Sequence, residues 1–359
     1  MNIYDVHGNK LVADNGALET PYLSSSARPR LKEQSDFDMS SFDTIRTFTA
    51  FSTDYATPSG QPYVLNMTSA EFLEIFYEPY LGYHSDMVVT KKNLGRDESD
   101  TYDIWCYDFI PYNAKKKILL SSGMHTYELP ASFGLARWIK DYMESSDAVF
   151  QYMRQNVQIS VIPIVNPWGW NQTPNKKYGN YNGVNPNRNF NNWADAWQDF
   201  PEYSPDPTSP NYNEWNVKGD APFSEAETQI LAEWLKANTD AQFWIDCHTG
   251  VGVTRANSGD VWCIYVAGNV LANKIQNAAT AIGGYIQSTY SRTPKYNVVT
   301  DSPNSIKSMY GDQVVGVPTM VIEQATGTDT LMTTMPNNSK PAIQYYALQI
   351  HAYIVSQLK

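Results

Sequence analysis

Residues 116–143 read KKILLSSGMHTYELPASFGLARWIKDYM and contain two structural periodicities in succession. The apolar run at residues 118–120 is short and continuous, which indicates a buried strand. From residue 131 onward the apolar side chains recur at helical spacing. The segment therefore predicts a strand, a polar loop and a helix that begins near Pro130.

The same alternation of strand and helix continues along the chain. Further buried strands are predicted for VQISVIPIVN, FWIDCH, DVWCIYVAG and VPTMVIEQ, at residues 157–166, 243–248, 260–268 and 317–324. Helices are predicted for SEAETQILAEWLKAN, VLANKIQNAATAI and the terminal PAIQYYALQIHAYIVSQLK, at residues 224–238, 270–282 and 341–359. This order predicts an α/β fold with a mixed, mainly parallel central sheet flanked by helices.

The N-terminal part of the chain has a different character. Residues 1–62 are irregular and rich in Ser, Pro and Gly breaks, so we expect a short extension or accessory segment there. Residues 63–359 are expected to form the main compact domain, with a first helix capped by Thr68 or Ser69. Residues 191–223, rich in Asn, Pro and Trp, are typical of a long surface excursion.

Composition excludes several kinds of partner. The 359 residues carry a formal net charge of −11 and a pI near 4.9, which argues against nucleic acid and against anionic lipid as partners. No apolar window has the length of a membrane span, and the N-terminus lacks the pattern of an export signal. A soluble, cytoplasmic protein is therefore expected, with export by another route left open.

Polar side chains follow four of the predicted strands at the point where each strand ends. They are His125, Asn166, His248 and Glu323. Because ligand sites of α/β sheets lie at the carboxyl ends of the strands, we expect these groups to converge on one edge. A catalytic zinc commonly takes two histidines and one carboxylate, and Glu128 supplies the carboxylate beside His125 and His248. The alternative for the His125 and Glu128 pair is an ordinary polar surface loop.

Five separated motifs decide between these interpretations. They are HTYE, NGVNPNRNF, FSEAETQILAEW, IDCHTG and VIEQATG, which begin at residues 125, 182, 223, 245 and 321. In order and spacing the series resembles the zinc metallocarboxypeptidase family of the carboxypeptidase A type. The resemblance extends from about residue 63 to the C-terminus.

The resemblance implies a set of roles. One Zn²⁺ ion would be bound by His125, Glu128 and His248, and Glu323 would be the general base. Asn187 and Arg188 would hold the free carboxylate of a peptide or acylated amino-acid substrate, a task that suits the planar guanidinium. Two alternatives stay open: a related amidohydrolase acting on N-acyl amino acids or cell-wall peptides, and a binding or phage-like structural module that keeps the fold.

The sequence departs from the family pattern around the metal and the reacting carbonyl. The loop that often carries an oxyanion arginine contains none, which leaves Lys176, Lys177 or Arg255 to supply the positive charge. Asn185 stands where relatives have an aspartate that orients the first zinc histidine. A neutral amide still accepts a hydrogen bond from imidazole, but it makes the ligand less basic.

The substrate pocket also departs from the pattern. The stretch NSIKSMY, residues 304–310, resembles the family segment that lines the pocket for the C-terminal side chain. Ile306 would occupy the selecting position, and Lys307 would favour an acidic or carboxylate-bearing residue. The tyrosine that covers the substrate carboxylate in relatives has only uncertain counterparts here, Tyr296 and Tyr310.

Overall fold

The computed structural model describes most of the chain from residue 67 onward. The described residues are 43, 45–48, 67–126, 128–172, 178–191, 196–249, 261–265, 270–290, 296–300, 307, 310–324 and 339–359. The chain divides into two compact units, Met1–Ser41 and Phe42–Lys359. Every described residue lies in the second unit.

Strands and helices alternate along this unit as the hydrophobic pattern predicts. The strands are Gly82–Tyr83 (β1), Met87–Arg96 (β2), Asp103–Pro111 (β3), Lys116–Ser121 (β4), Val157–Ile162 (β5), Phe243–His248 (β6), Val261–Tyr265 (β7), Tyr296–Thr300 (β8) and Thr319–Gln324 (β9). The α-helices are Ser69–Phe76 (α1), Leu129–Glu144 (α2), Ala148–Asn156 (α3), Pro167–Gln172 (α4), Ala196–Asp199 (α5), Ala226–Lys236 (α6), Ala272–Tyr290 (α7) and Ser339–Leu358 (α8).

All the described strands belong to one mixed sheet, in the order β1-β2-β3-β5-β4-β6-β9-β7-β8. The central strands β5, β4, β6 and β9 are parallel to one another. Strands β1, β2 and β3 pair antiparallel on one side, and β7 pairs antiparallel with β9 on the other. The predicted α/β fold with a mixed sheet is confirmed, and its parallel centre brings the carboxyl ends of β4, β6 and β9 to one edge.

The centre of the sheet is fully enclosed. Every residue of β6 is buried, as expected for a parallel strand with helices on both faces. Helix α2 packs against α8 beside this strand. The apolar strands therefore bury both faces, and polar side chains within them must find partners inside the protein.

The helix starts test the predicted caps. Thr68, one of the two predicted caps, caps α1 and also forms a reciprocal capping box with Glu71. The S-x-x-E spacing of Ser224 and Glu227 also predicts a capping box. This box does not form, because α6 begins after Glu225 and no side chain caps it. Ser224 Oγ instead donates to the Glu225 carboxylate at 2.6 Å.

Within the described residues, no helix combines the length and the apolar character that crossing a bilayer requires.

Candidate metal centre

The loop after β4 carries two of the predicted ligands, His125 and Glu128. It turns at Gly123, whose φ of +67° favours glycine and where a Cβ would approach Ile164 Cα to 2.9 Å. The turn ends where Glu128 N donates to His125 O at 3.1 Å, immediately before α2. The strand, the turn and the helix start therefore place both side chains at the sheet edge.

The third predicted ligand lies on the neighbouring strand. His248 is the last residue of β6, and its Cα pairs in register with Glu323 on β9. Because β4, β6 and β9 are adjacent and parallel, the proposed base and all three proposed ligands lie at the same edge.

The three proposed ligand side chains form a compact, buried cluster. Glu128 Oε1 lies 2.9 Å from His125 Nδ1, and Glu128 Oε2 lies 2.9 Å from His248 Nδ1. The two Nδ1 atoms are 3.2 Å apart. One ligand atom from each residue lies within 4.8 Å of the others. Two imidazole nitrogens and a carboxylate in this arrangement fit a catalytic zinc ion, which keeps one position open for water.

Both imidazoles are also held at their outer nitrogens. His125 Nε2 donates to Asn185 Oδ1 at 3.0 Å, the contact expected for the asparagine at this position. His248 Nε2 donates to Asp246 Oδ2 at 2.7 Å. Protons on the Nε2 atoms leave the Nδ1 lone pairs free to face the metal position. Both rings therefore donate through Nε2, but His125 donates to a neutral amide and His248 to a carboxylate.

Burial and the neighbouring charges shift the pKa values of the three clustered residues. Burial raises the pKa of Glu128, but the two imidazoles outweigh this effect and lower it to about 2. Burial and Lys307 lower the pKa of His248, while Asp246 and Glu128 raise it, with the net result of about 10. Burial lowers the pKa of His125. A metal ion that binds here must displace the proton from His248, so binding releases a proton.

Glu323 has the protonation behaviour of an acid–base group. Burial, followed by the nearby Glu128 carboxylate, raises its pKa to about 7. The ideal pKa of a general base lies near the working pH. Glu323 therefore combines a place beside the cluster with a pKa suited to proton transfer.

Arg188 and Asn187 lie on a short 3₁₀ turn, Pro186–Arg188, that Asn185 caps. Arg188 Nε donates to Asn216 Oδ1 at 3.0 Å, and its guanidinium lies 5.6 Å from the Phe200 ring centroid. Burial lowers the Arg188 pKa to about 10, so the side chain is still charged at neutral pH. Glu323 and Glu128 interact electrostatically with it. The turn thus joins Arg188, the predicted carboxylate-binding residue, to the asparagine that accepts from His125.

Lys307 has different surroundings from those expected of a pocket residue. Its side chain is fully buried, and its ammonium is ion-paired with Asp246 Oδ2. The selectivity role expected of Lys307 stays a prediction. Ile306, Lys176, Lys177 and Arg255 lie outside the described residues.

Three other residues expected at or near the site are Tyr310, Tyr296 and Asn166. Tyr310 is buried, with its ring centroid 5.6 Å from that of Phe190 and 5.1 Å from that of Phe223. Tyr296 begins β8. Asn166 also lies at the sheet edge, where its side chain accepts from Gly169 N and donates to Gly179 O.

Asp246 was not among the residues expected at the site. A usable signal was present in FWIDCH, because residues two apart in a strand point to the same face. Asp246 therefore had to lie on the face of β6 that carries His248. A buried carboxylate in that position needs a partner, and the imidazole provides it.

The chain is similar to several known proteins. A family model described as zinc carboxypeptidase matches residues 98–301, a range that contains the three proposed ligands but ends before Glu323. No curated protein matches the chain in sequence.

Solved structures show the same fold. Carboxypeptidase A from Helicoverpa armigera is 18% identical, with 90% of this chain and 76% of that chain covered at a TM-score of 0.56. A metallo-carboxypeptidase from Burkholderia cenocepacia is 14% identical, with 80% and 68% covered at a TM-score of 0.52. Bovine thrombin-activatable fibrinolysis inhibitor, solved with a tick carboxypeptidase inhibitor, is 15% identical, with 79% and 95% covered at a TM-score of 0.53.

Proposed function

The chain belongs to the zinc carboxypeptidase family, and from this premise we propose that it hydrolyses the amide bond that links the last residue of a peptide to the preceding one. The family makes it a zinc metallopeptidase. The observation that carries the finer proposal is the cluster of His125, Glu128 and His248 with Glu323 beside it on the next strand.

His125 Nδ1, His248 Nδ1 and the Glu128 carboxylate would hold one zinc ion. Bound zinc supplies Lewis acidity and lowers the pKa of a coordinated water to about 7. The protein contributes a fixed, buried donor set whose outer hydrogen bonds keep both imidazoles oriented.

Glu323 is the proposed general base. Its carboxylate takes a proton from the attacking water and returns that proton to the nitrogen of the leaving amine. The raised pKa supports the first transfer, since a carboxyl group with a pKa of about 7 is a better proton acceptor than an ordinary one.

Arg188 is the proposed anchor for the terminal carboxylate. Its planar guanidinium binds a carboxylate through two parallel hydrogen bonds, and Asn187 on the same turn offers an amide. An anchor of this kind restricts cleavage to the last residue, which is the property of an exopeptidase. We still predict that Lys176, Lys177 or Arg255 provides the positive charge that stabilises the oxyanion of the reacting carbonyl.

Glu323→Gln tests the proposal. We expect this variant to lose about 100- to 10,000-fold in kcat on a peptide panel, because general base catalysis contributes roughly 10²–10⁴-fold. It should still bind one zinc ion per chain, since Glu323 is not among the three ligands. Glu144→Gln is the matched control, because that carboxylate is half exposed on α2 and pairs with Lys140.

The panel separates the alternatives. It contains free and amidated peptides with apolar, basic, acidic and diaminopimelate ends, together with N-acyl amino acids. Release from N-acyl amino acids alone would identify the related amidohydrolase. One zinc per wild-type chain without release from any member would identify a binding module, and wild-type activity in Glu323→Gln would remove the proposed base.

A further inference from the structure

A buried charge pair lies behind the second histidine of the cluster. The imidazole of His248 presents Nδ1 to Glu128 and Nε2 to Asp246. Asp246, His248 and Lys307 are all fully buried. The carboxylate of Asp246 and the ammonium of Lys307 are therefore shielded from water. Inside the protein, either charge without the other would be strongly unfavourable.

Asp246 is held in one orientation by contacts at both of its oxygens. Ser121 Oγ donates to Asp246 Oδ1 at 2.5 Å, and Ser121 Oγ in turn accepts from Trp244 Nε1 at 2.8 Å. The backbones support this contact, because Ser121 on β4 and Asp246 on β6 are paired in register. Asp246 Oδ2 is left for His248 Nε2, 2.7 Å away.

Lys307 binds the same carboxylate oxygen as His248. Its Nζ contacts Asp246 Oδ2, and it lies 3.0 Å from His248 Nε2 and 3.3 Å from Met124 Sδ. An ammonium only donates hydrogen bonds, and Nε2 donates when it carries the proton, so the two nitrogens share one acceptor. Lys307 therefore acts on the histidine through Asp246, and it cancels the carboxylate's buried charge.

We propose that Asp246 and Lys307 are positioning residues for the metal ligand His248. Asp246 keeps the proton on Nε2 and fixes the ring plane, so the Nδ1 lone pair points at the metal position. Lys307 keeps Asp246 a charged acceptor inside the protein. The inference rests on the proposed function only in that the cluster of His125, Glu128 and His248 binds zinc.

The two histidines would then contribute unequally to metal affinity. Asn185, the partner of His125, is a neutral amide, whereas the partner of His248 is a carboxylate. A carboxylate makes an imidazole a more basic ligand than an amide does. The Asp246 and Lys307 pair would therefore supply the charged support that the first histidine lacks.

The experiment measures zinc dissociation constants by competition with a chromophoric chelator. The proteins compared are wild type, Asp246→Asn, Lys307→Met and the double variant. Removal of a hydrogen-bond partner of a metal ligand weakens metal binding about 10- to 100-fold, and we expect that loss in each single variant. If Lys307 acts only through Asp246, the double variant loses no more than the weaker-binding single variant.

A control and a second readout separate positioning from folding. Lys218→Met removes another buried ammonium, one that binds the carbonyl oxygens of Trp197 and Phe200, and should leave the zinc dissociation constant unchanged. Asp246→Asn preserves side-chain shape, so it should fold. Its Co²⁺-substituted form should show an altered visible spectrum, while that of Lys218→Met should match wild type.

The results distinguish this inference from the proposed function. Wild-type zinc affinity in Asp246→Asn or Lys307→Met would overturn the inference, as would losses that multiply in the double variant, whatever the enzyme hydrolyses. If the variants bind zinc more weakly than the wild type but the wild type releases no product from any substrate, the inference would be supported and the proposed function overturned. Absence of zinc binding in the wild type would overturn both.

Discussion

The guanidinium of Arg188 donates through Nε to Asn216 and lies beside the Phe200 ring. We expect Arg188→Met to lower kcat/KM for free-acid peptides about 100-fold, since hydrogen bonds to charged groups contribute roughly 1.5–3 kcal/mol. The ratio of free-acid to amidated peptide cleavage is the measurement, and it should fall toward one. Arg96→Met is the control, because Arg96 is 54% exposed and pairs with Asp103. A retained preference for the free acid in Arg188→Met would place the anchor elsewhere.

Individual residues could be predicted from the sequence where a motif and a strand end coincide. His125, Glu128 and His248 could be grouped in this way, and the structure brings them together. The surroundings of Lys307 could not be predicted, because its sequence context does not show whether it faces a pocket or an internal carboxylate. The ion pair with Asp246 depends on contacts between segments that are far apart in the chain.

Helices α2 and α8 approach each other closely at Gly134. A Cβ at this position would lie 2.5 Å from Tyr346 Cβ, and Tyr346 Oη lies 2.8 Å from the carbonyl oxygens of both His248 and Ile322. We expect Gly134→Ala to lower the free energy of unfolding by about 1–3 kcal/mol, as overpacking a core does. Urea denaturation measures this.

Gly284 on α7 offers the matched control for Gly134. It also lies within a helix, but nothing lies within 4 Å of a Cβ built there. Gly284→Ala should therefore stabilise the protein by up to about 1 kcal/mol through helix propensity. Equal effects of the two substitutions would contradict a close contact between α2 and α8.

The start of α6 contains a carboxyl group whose protonation is linked to folding. Glu227 is fully buried, accepts from Asn180 Nδ2 at 2.9 Å, and has its pKa raised to about 7, chiefly by burial. The folded state therefore favours the protonated form, and its contribution to stability is present below pH 4.5 and lost as the pH rises through 7.

This linkage makes a pH prediction. Relative to Glu227→Gln, the wild-type free energy of unfolding should fall by about 2.5 kcal/mol between pH 5 and pH 8, since one pKa unit corresponds to about 1.4 kcal/mol. Chemical denaturation at both pH values measures the difference. Glu233→Gln, at an exposed position on the same helix, should show no such trend. A pH-independent difference would mean that Glu227 remains ionised throughout.

The hydrophobic pattern of the sequence predicts some strands of the sheet better than others. The apolar strands β4, β5, β6 and β9 follow directly from continuous hydrophobic runs, because both of their faces are covered. Strand β2 was missed, since its sequence MVVTKKNLGR is largely polar after its first residues and its burial alternates only near the start. It pairs along its length with β3, an interaction between segments that neither sequence shows alone.

A short part of the predicted N-terminal extension packs against the helices of the main domain. Residues 45–48 fall within the predicted extension, 1–62, yet Phe48 is buried with its ring centroid 5.7 Å from that of His351. Arg46 is ion-paired with Asp147 and lies 4.9 Å from the Phe150 ring centroid. Irregular local sequence therefore conceals tertiary packing, which hydrophobic periodicity does not report.

Phe48 tests whether this segment is part of the folded molecule or an accessory to it. Phe48→Ala should lower the free energy of unfolding by about 3 kcal/mol, because it removes a buried aromatic ring and opens a cavity beside His351. The midpoint of urea denaturation measures the change, with Tyr83→Ala as the control, since Tyr83 is 66% exposed and its loss should have an effect below about 0.5 kcal/mol. If both variants unfold at the wild-type midpoint, the domain boundary near residue 62 would stand. A large effect confined to Phe48→Ala would instead extend the domain to include residues 45–48.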